Sequence, residues 1–411
     1  MGVEYGILIF GYIFGFYMSW NIGANDVANS MASAVGARAI TLKQAIFIAG
    51  ILNIVGAIFL GSHVTNTIRK GIVSTHVLAD PNMALIGALA ALLAAAIWVS
   101  FATWKSLPVS TTHSIVGAMI GFGIMAGGFS VIDWSKLGAV VASWVISPFF
   151  SFVIAYITFK IILKTIYTKK DSSGTALKRS PYFVGMAMFI IALSFLFKTP
   201  VGNSLNISVP TAIAVALVIA AGGGLIGKQL ISRFGMRHEG DETERVFRRI
   251  QIGTSCYVAL AQGANDVANA IGPLALIYYI FKTGSVAGIN QVPVPIFLLG
   301  FGGIGIATGI AMAGRRVIET VGSRITNLNN TRGFSVDFAA ATTVMAASKM
   351  GLPVSTTHAS VGGVIGVGVA RGFEAVNFRV IYEIVLYWIL TVPAAALTSM
   401  LLFTILHYFL F

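Results

Sequence analysis

One cysteine in 411 residues, and charged side chains at only 10% of positions, are the first absences in this sequence. Cys256 alone cannot form an intrachain disulfide, so cysteine usage assigns no redox compartment, and a single thiol in apolar surroundings reads as packing. The shortage of charge excludes an ordinary soluble domain, in which about a quarter of residues are charged. Acids are scarcer still, with 14 Asp and Glu against 27 Lys and Arg. The resulting net charge of +13 does not point to nucleic acid, because the basic residues cluster at the ends of apolar runs, where they act as topology signals. No basic segment with a small-residue cleavage site precedes the first apolar run, so the first helix is expected to be retained.

What is present is apolar sequence, at 56% of the chain. Runs such as Met83 to Thr103 and Pro210 to Gly227 approach or reach the ~20 residues that cross a bilayer. The pattern predicts an all-α polytopic membrane protein of about twelve transmembrane segments. Crossings are expected near 5–22, 40–61, 83–104, 108–130, 137–163, 183–197, 210–227, 250–281, 293–313, 335–350, 353–370 and 380–409. One basic cluster holds Lys164, Lys169, Lys170, Lys178 and Arg179, and another holds Lys228, Arg233, Arg237, Arg245, Arg248 and Arg249. Two crossings separate them, so both lie on the cytoplasmic face, and both termini lie outside the cytoplasm at the cell membrane. Arg69, Lys70, Lys136, Lys198, Lys282 and Lys349 are exceptions to this bias. The expected organisation is a first repeat at 1–168, a central linker of two helices with basic loops at 169–246, and a second repeat at 247–411.

Two strings occur twice. "GANDVAN" stands at Gly23 to Asn29 and again at Gly263 to Asn269, and "LPVSTTH" at Leu107 to His113 and again at Leu352 to His358. Their order is kept, and their offsets of 240 and 245 positions are nearly equal (23 to 263, 107 to 352). Five crossings per half would make the halves enter the membrane from opposite faces. Inverted repeats with broken helices are the pattern of secondary transporters, with the binding site where the repeats meet. The 250–281 segment is long for one straight helix and is expected to break at its copy of "GANDVAN".

Asp26 and Asp266 each sit in long apolar surroundings, where an acid near the bilayer centre costs about 2.5–3.5 kcal/mol and requires a partner. Asn25, Asn29, Asn265 and Asn269 add amide oxygens, and the glycine would permit unwinding that exposes carbonyls. Oxygen ligands of this kind suit a hard cation such as sodium. Helix capping is the competing explanation, but it accounts for one polar residue per copy rather than three. In "LPVSTTH" the proline ends one segment, and Ser110, Thr111 and Thr112, with Ser355, Thr356 and Thr357 in the copy, stand at a helix start. Free N–H groups, the helix dipole and three hydroxyls form an anion cradle suited to phosphate, sulfate or a carboxylate. Hydroxyls that only cap the helix are the alternative. A Ser–His pair is also compatible with hydrolase chemistry, but no orienting partner or oxyanion hole is legible, so His113 and His358 are assigned a supporting position.

With both motif pairs in this order in each half, and with "GRRVIETVGSRIT" at Gly314 to Thr326 and "LTVPAAAL" at Leu390 to Leu397, the chain resembles the inorganic phosphate transporter family, which includes sodium/phosphate symporters. The resemblance implies uptake of inorganic phosphate, driven by a cation gradient through alternating access. Sodium would bind at Asn25, Asp26, Asn29, Asn265, Asp266 and Asn269, and phosphate at the two Ser-Thr-Thr triplets. Many sodium-coupled members carry a glutamate where this chain has Asn53 in "ILNIVG", and the matching second-half acid is read as Asp337. Asn53, His113, Asp337 and His358 are therefore expected in a second shell or in coupling. Proton-coupled uptake, another oxyanion such as sulfate, and an anion channel are the alternatives. No enzymatic cofactor and no nucleic acid are expected. The expected partners are phosphate, sodium and the lipid bilayer, with a homo-oligomer left open.

Overall fold

The structure is a computed structural model describing residues 2–61, 80–198, 202, 205–234, 241–286, 294–349 and 354–410. Arg69, Lys70, Arg237, Glu239, and Leu352 and Pro353 of the second "LPVSTTH" lie outside the described residues. The described residues form helices and no strand. In chain order these are α1 (Gly2–Gly36), α2 (Leu42–Leu60), α3 (Pro81–Trp104), α4 (Thr111–Gly127), α5 (Trp134–Ile162), α6 (Ser172–Lys198), α7 (Val209–Phe234), α8 (Glu242–Thr283), α9 (Ile296–Ala313), α10 (Arg315–Glu319), α11 (Asn330–Lys349), α12 (Thr356–Arg371) and α13 (Phe378–Leu410). A π turn extends α5 over Leu163–Tyr167, and another extends α10 over Thr320–Arg324. Helices are the expected solution for a lipid-immersed chain, because each satisfies its own backbone polar groups.

Eight of these helices are long and apolar enough to cross a bilayer. The expected segments near 40–61, 83–104 and 137–163 correspond to α2, α3 and α5, each within a few residues. Local chemistry sets their starts. Thr41 and Gln44 form a reciprocal capping box ahead of α2, and Asp80 caps α3 with Pro81 in its first turn. The expected linker boundary at 246 falls inside α8, which begins at Glu242.

The expectation of helices broken at "GANDVAN" is not met. Both α1 and α8 run unbroken through their copies of the motif, and α8 is 42 residues long. The glycines serve close approach instead of unwinding. A Cβ on Gly23 would lie 1.9 Å from the Ile306 carbonyl oxygen of α9, and one on Gly263 would lie 2.3 Å from the Asn53 carbonyl oxygen of α2. An interruption falls at the bend leading into α4, which starts at Thr111, and α12 starts at the corresponding Thr356.

Packing is reciprocal between the two ends of the chain. α1 and α8 lie against each other antiparallel, with Gly11 and Gly15 facing Ile277 and Leu274, and Arg248 donating to the Ala39 carbonyl at 2.8 Å. α9 packs on α1, and α2 packs on α8. Further out, Gly117 and Gly121 of α4 meet Val392 and Ala396 of α13, while Gly362 and Gly366 of α12 meet Pro148 and Phe152 of α5. α6 and α7 pair with each other, and α6 also touches α8 and α11. The centre is a dense aliphatic cluster drawn mainly from α1, α3, α4, α8, α9 and α12. Large apolar side chains point outward from α5, α7 and α13, among them Phe149, Val218 and Ile389, as a lipid-facing surface requires.

Candidate functional site

Midway through this core, α1 and α8 bring their acids to the starts of α4 and α12. Asp26 is fully buried, and its Oδ2 accepts a hydrogen bond from the Thr111 hydroxyl at 2.6 Å. Its Oδ1 accepts from the Asn29 amide at 3.4 Å and lies 3.3 Å from the Thr357 hydroxyl. That hydroxyl is also 3.2 Å from the Val109 carbonyl, and its single hydrogen serves one acceptor at a time. Asn29 reaches across to the other half of the chain, donating to Thr356 and Thr357 at 3.1 and 3.0 Å. Asn269 does the reverse, donating to Thr111 and Thr112 at 3.1 and 3.3 Å. Asp266 accepts from Asn265 at 2.9 Å and from the Thr356 hydroxyl at 3.5 Å. A chain of hydrogen bonds therefore runs from Asp26 through Asn29 and Thr356 to Asp266.

Ser110 and Ser355 are the N-caps of α4 and α12, accepting from the His113 and His358 backbone N–H groups at 3.1 and 3.2 Å. Capping and site-building thus coincide: the serines fix the helix starts, Thr111, Thr356 and Thr357 meet the carboxylates, and Thr112 meets Asn269. The Asn29 Oδ1 is buried and has no hydrogen-bond partner. An orphan amide oxygen beside a buried carboxylate supplies oxygen ligands of the kind that a hard cation prefers.

Asn25 sits elsewhere than expected. Its amide donates to Thr103 Oγ1 at 2.9 Å and to the Leu107 carbonyl at 3.0 Å, and its Oδ1 accepts from the Val109 N–H at 3.0 Å. It clasps the bend between α3 and α4 and sets where Thr111 stands. Removing it leaves several buried groups unpaired at about 1–3 kcal/mol each. Asn25→Ala is therefore expected to melt well below the parent in thermal unfolding of the purified protein; an unchanged melting curve would show that the bend is held by other contacts.

Asn53 and Asp337 are not counterparts in space, which corrects the pairing expected from sequence. Asn53 is on α2, its amide donates to the Ala49 carbonyl at 2.8 Å, and Ile306 of α9 takes the equivalent place against Gly23. Asp337 lies on α11 and is fully buried. It accepts from the Ser33 and Ser255 hydroxyls at 2.5 Å each, with Thr254 at 3.4 Å. Ser33 follows Asn29 by one helical turn, so the polar stripe of α1 was a legible signal; nothing in sequence links Thr254 and Ser255 to it.

The two histidines meet. His113 stacks on Trp144 of α5 with centroids 3.6 Å apart, His358 stacks on Trp388 of α13 at 3.7 Å, and the imidazoles contact edge to face at 4.4 Å. The His358 Nδ1 donates to the Trp144 carbonyl at 2.9 Å, which fixes its tautomer with the proton on Nδ1. Sequence reasoning missed both tryptophans, although they recur at nearly the motif offset (144 to 388).

Buried carboxylates, amides and hydroxyls meeting between long apolar helices define a membrane transport protein with a central polar site. A model of the phosphate transporter family matches residues 22–399, so the chain belongs to that family, which is one of transporters and not of enzymes. A putative phosphate permease of Pyrococcus furiosus is 48% identical over 97% of this chain and 95% of its own length. The chloroplastic inorganic phosphate transporter 2-1 of Arabidopsis thaliana is 40% identical over 93% of this chain and 69% of its own. Among solved structures, one titled the sodium-dependent phosphate transporter superposes with a TM-score of 0.89 at 43% identity, covering 98% of this chain and 99% of that one.

Proposed function

We propose that this protein takes up inorganic phosphate by sodium-coupled symport, with alternating access around the Asp26 and Asp266 centre. The observation that carries the reading is the reciprocal bonding of Asn29 to Thr356 and Thr357 and of Asn269 to Thr111 and Thr112. Each acid-bearing helix is tied to the hydroxyl-bearing helix start of the opposite end of the chain. This supports two inverted repeats, 1–168 and 247–411, with α6 and α7 as an added pair, while twelve crossings with both termini outside the cytoplasm at the cell membrane rest on the apolar runs and basic clusters of the sequence. Sodium is cargo held by Asp26, Asp266 and the Asn29, Asn265 and Asn269 amides, while Asn25 positions the α3–α4 bend. Once cations neutralise the acids, the Thr111, Thr356 and Thr357 hydroxyls turn from Asp26 and Asp266 and, with Thr112 and the N–H groups of α4 and α12, donate to phosphate, while Ser110 and Ser355 cap those helices. His113 and His358 lock the two helix starts together, Asn53 supports the packing at Gly263, and Asp337 forms a further buried carboxylate along α1.

The coupling follows from charge. Two carboxylates in a low-dielectric core repel phosphate unless cations neutralise them, so each ligand raises the affinity of the other. Uptake of labelled phosphate into proteoliposomes is the test: an inward sodium gradient drives accumulation, potassium does not, and an imposed proton gradient without sodium does not. Accumulation driven equally by protons would replace sodium with the proton, and gradient-independent flux would indicate a channel. Competition by sulfate or arsenate defines the anion.

Thr111→Val keeps volume but removes the hydroxyl that donates to Asp26 and accepts from Asn269. One net hydrogen bond is worth about 1 kcal/mol, so phosphate affinity is expected to fall about fivefold. Thr111→Ser should restore it. Thr356→Val is expected to behave in the same way, and parental affinity in both valine variants would remove the threonines from the anion site.

A further inference from the structure

Away from the central site, two arginines from different helices converge on one carbonyl. Arg332, in the first turn of α11, donates to the Asn327 carbonyl through Nη1 at 2.9 Å. Arg371, the last residue of α12, donates to the same oxygen at 3.4 Å. The Arg332 guanidinium also lies over the Phe159 ring at 5.7 Å, and its Nε is buried without a partner. Each guanidinium carries five N–H donors, so most of this donor capacity is uncommitted.

No carboxylate among the described residues forms an ion pair with either arginine, although Glu244 attracts Arg332 through space. Glu244 is the acid beside Arg332, but its oxygens accept from the Tyr167 hydroxyl, the Thr331 hydroxyl and the Asn330 and Thr331 backbone N–H groups. It caps the start of α11 and forms no ion pair with either arginine. Glu374, three residues past Arg371, forms none either, while Arg379 beyond it pairs with Glu383 at 3.7 Å. Beside Arg371 the turn into α13 presents Phe373 and Phe378, 70% and 50% exposed, with stacked rings. Exposed phenylalanine rings next to cations suit a segment whose apolar side enters the acyl boundary while its basic side meets headgroups.

We propose that Arg332 and Arg371 form a binding site for a phosphoryl oxyanion, separate from the central site. An oxyanion between the guanidiniums relieves their mutual repulsion and uses donors that a lone carbonyl cannot. The phosphodiester of an anionic phospholipid and free phosphate share this chemistry. Phe373 and Phe378 favour the lipid, whose acyl chains would cover them.

The test is thermal unfolding of the purified full-length protein in nonionic detergent, titrated separately with phosphatidylglycerol, phosphatidylcholine and inorganic phosphate. Arg332→Gln and Arg371→Gln are compared with the parent and with Arg379→Gln as a control for nearby charge. A basic residue at the membrane surface is worth about 1 kcal/mol toward an anionic headgroup, so half-saturation by phosphatidylglycerol should shift about fivefold in each variant. The control and the phosphatidylcholine titration should not shift. A fivefold shift for inorganic phosphate instead would assign the site to the free anion. Equal titrations in parent and variants, or an equal shift in Arg379→Gln, would overturn the proposal. Should Arg332→Gln fail to fold for want of its contact with Phe159, the exposed Arg371 decides the outcome alone. The result is independent of the coupling ion, because uptake into phosphatidylcholine vesicles should stay near the parental rate in Arg371→Gln.

Discussion

Asp26→Asn and Asp266→Asn will each lower phosphate uptake into proteoliposomes by about 5- to 150-fold, the range of an ordinary coupling free energy, and will flatten its dependence on sodium. Asparagine keeps the size of the side chain and can still accept from Thr111 or Thr356, so the fold and the hydrogen-bond chain are retained. What is lost is the charge that attracts a cation into a buried, low-dielectric position. The two variants should behave alike, since Asp26 and Asp266 each touch the hydroxyls of α12, and Asp26 those of α4 as well. Insertion and monodispersity of the purified variants, measured in parallel, separate loss of function from loss of protein. Parental uptake with parental sodium activation in both would remove the carboxylates from the cation site.

Gly263→Ala will destabilise the protein strongly, whereas Gly253→Ala in the same helix will not. At Gly263 an added Cβ would stand 2.3 Å from the Asn53 carbonyl oxygen and 2.5 Å from its Cα, so the obstacle is backbone of a packed helix and cannot rotate away. At Gly253 nothing lies within 4 Å. Overpacking a core costs about 1–3 kcal/mol when side chains can adjust. Here α2 and α8 must separate along their length, so the cost is expected at or above that range. Alanine at Gly253 instead gains about 0.5–1 kcal/mol of helix propensity. Gly23→Ala is predicted to match Gly263→Ala, because its Cβ would meet the Ile306 carbonyl oxygen at 1.9 Å. Thermal unfolding of the three variants checks the account, and equal melting of Gly253→Ala and Gly263→Ala would show that the helices separate at no cost.

These glycines also mark where sequence stops being informative. A glycine in an apolar helix beside an acid is compatible with unwinding or with close packing, and only the neighbouring backbone decides between them. Helices such as α2, α3 and α5 were legible because hydropathy is a local property, and the convergence of the two strings followed from their duplication. The place of Asn25 was not legible for a different reason: its partners, Thr103 at the end of α3 and Leu107 and Val109 in the bend after it, lie some eighty positions away, and no periodicity connects them. The pairing of Asn53 with Asp337 failed because an acid's position along the chain says nothing about which helix it shares in space. The convergence of Arg332 and Arg371 on Asn327 was likewise invisible, since both residues read as topology signals.

The most direct test of the central claim is calorimetric titration of phosphate into the purified protein in sodium and in potassium, repeated for Asp26→Asn. If carboxylates and hydroxyls form one coupled site, phosphate binds about 5- to 150-fold more tightly in sodium, and the difference disappears in the variant. Equal phosphate affinity in sodium and potassium for the parent protein would contradict the account.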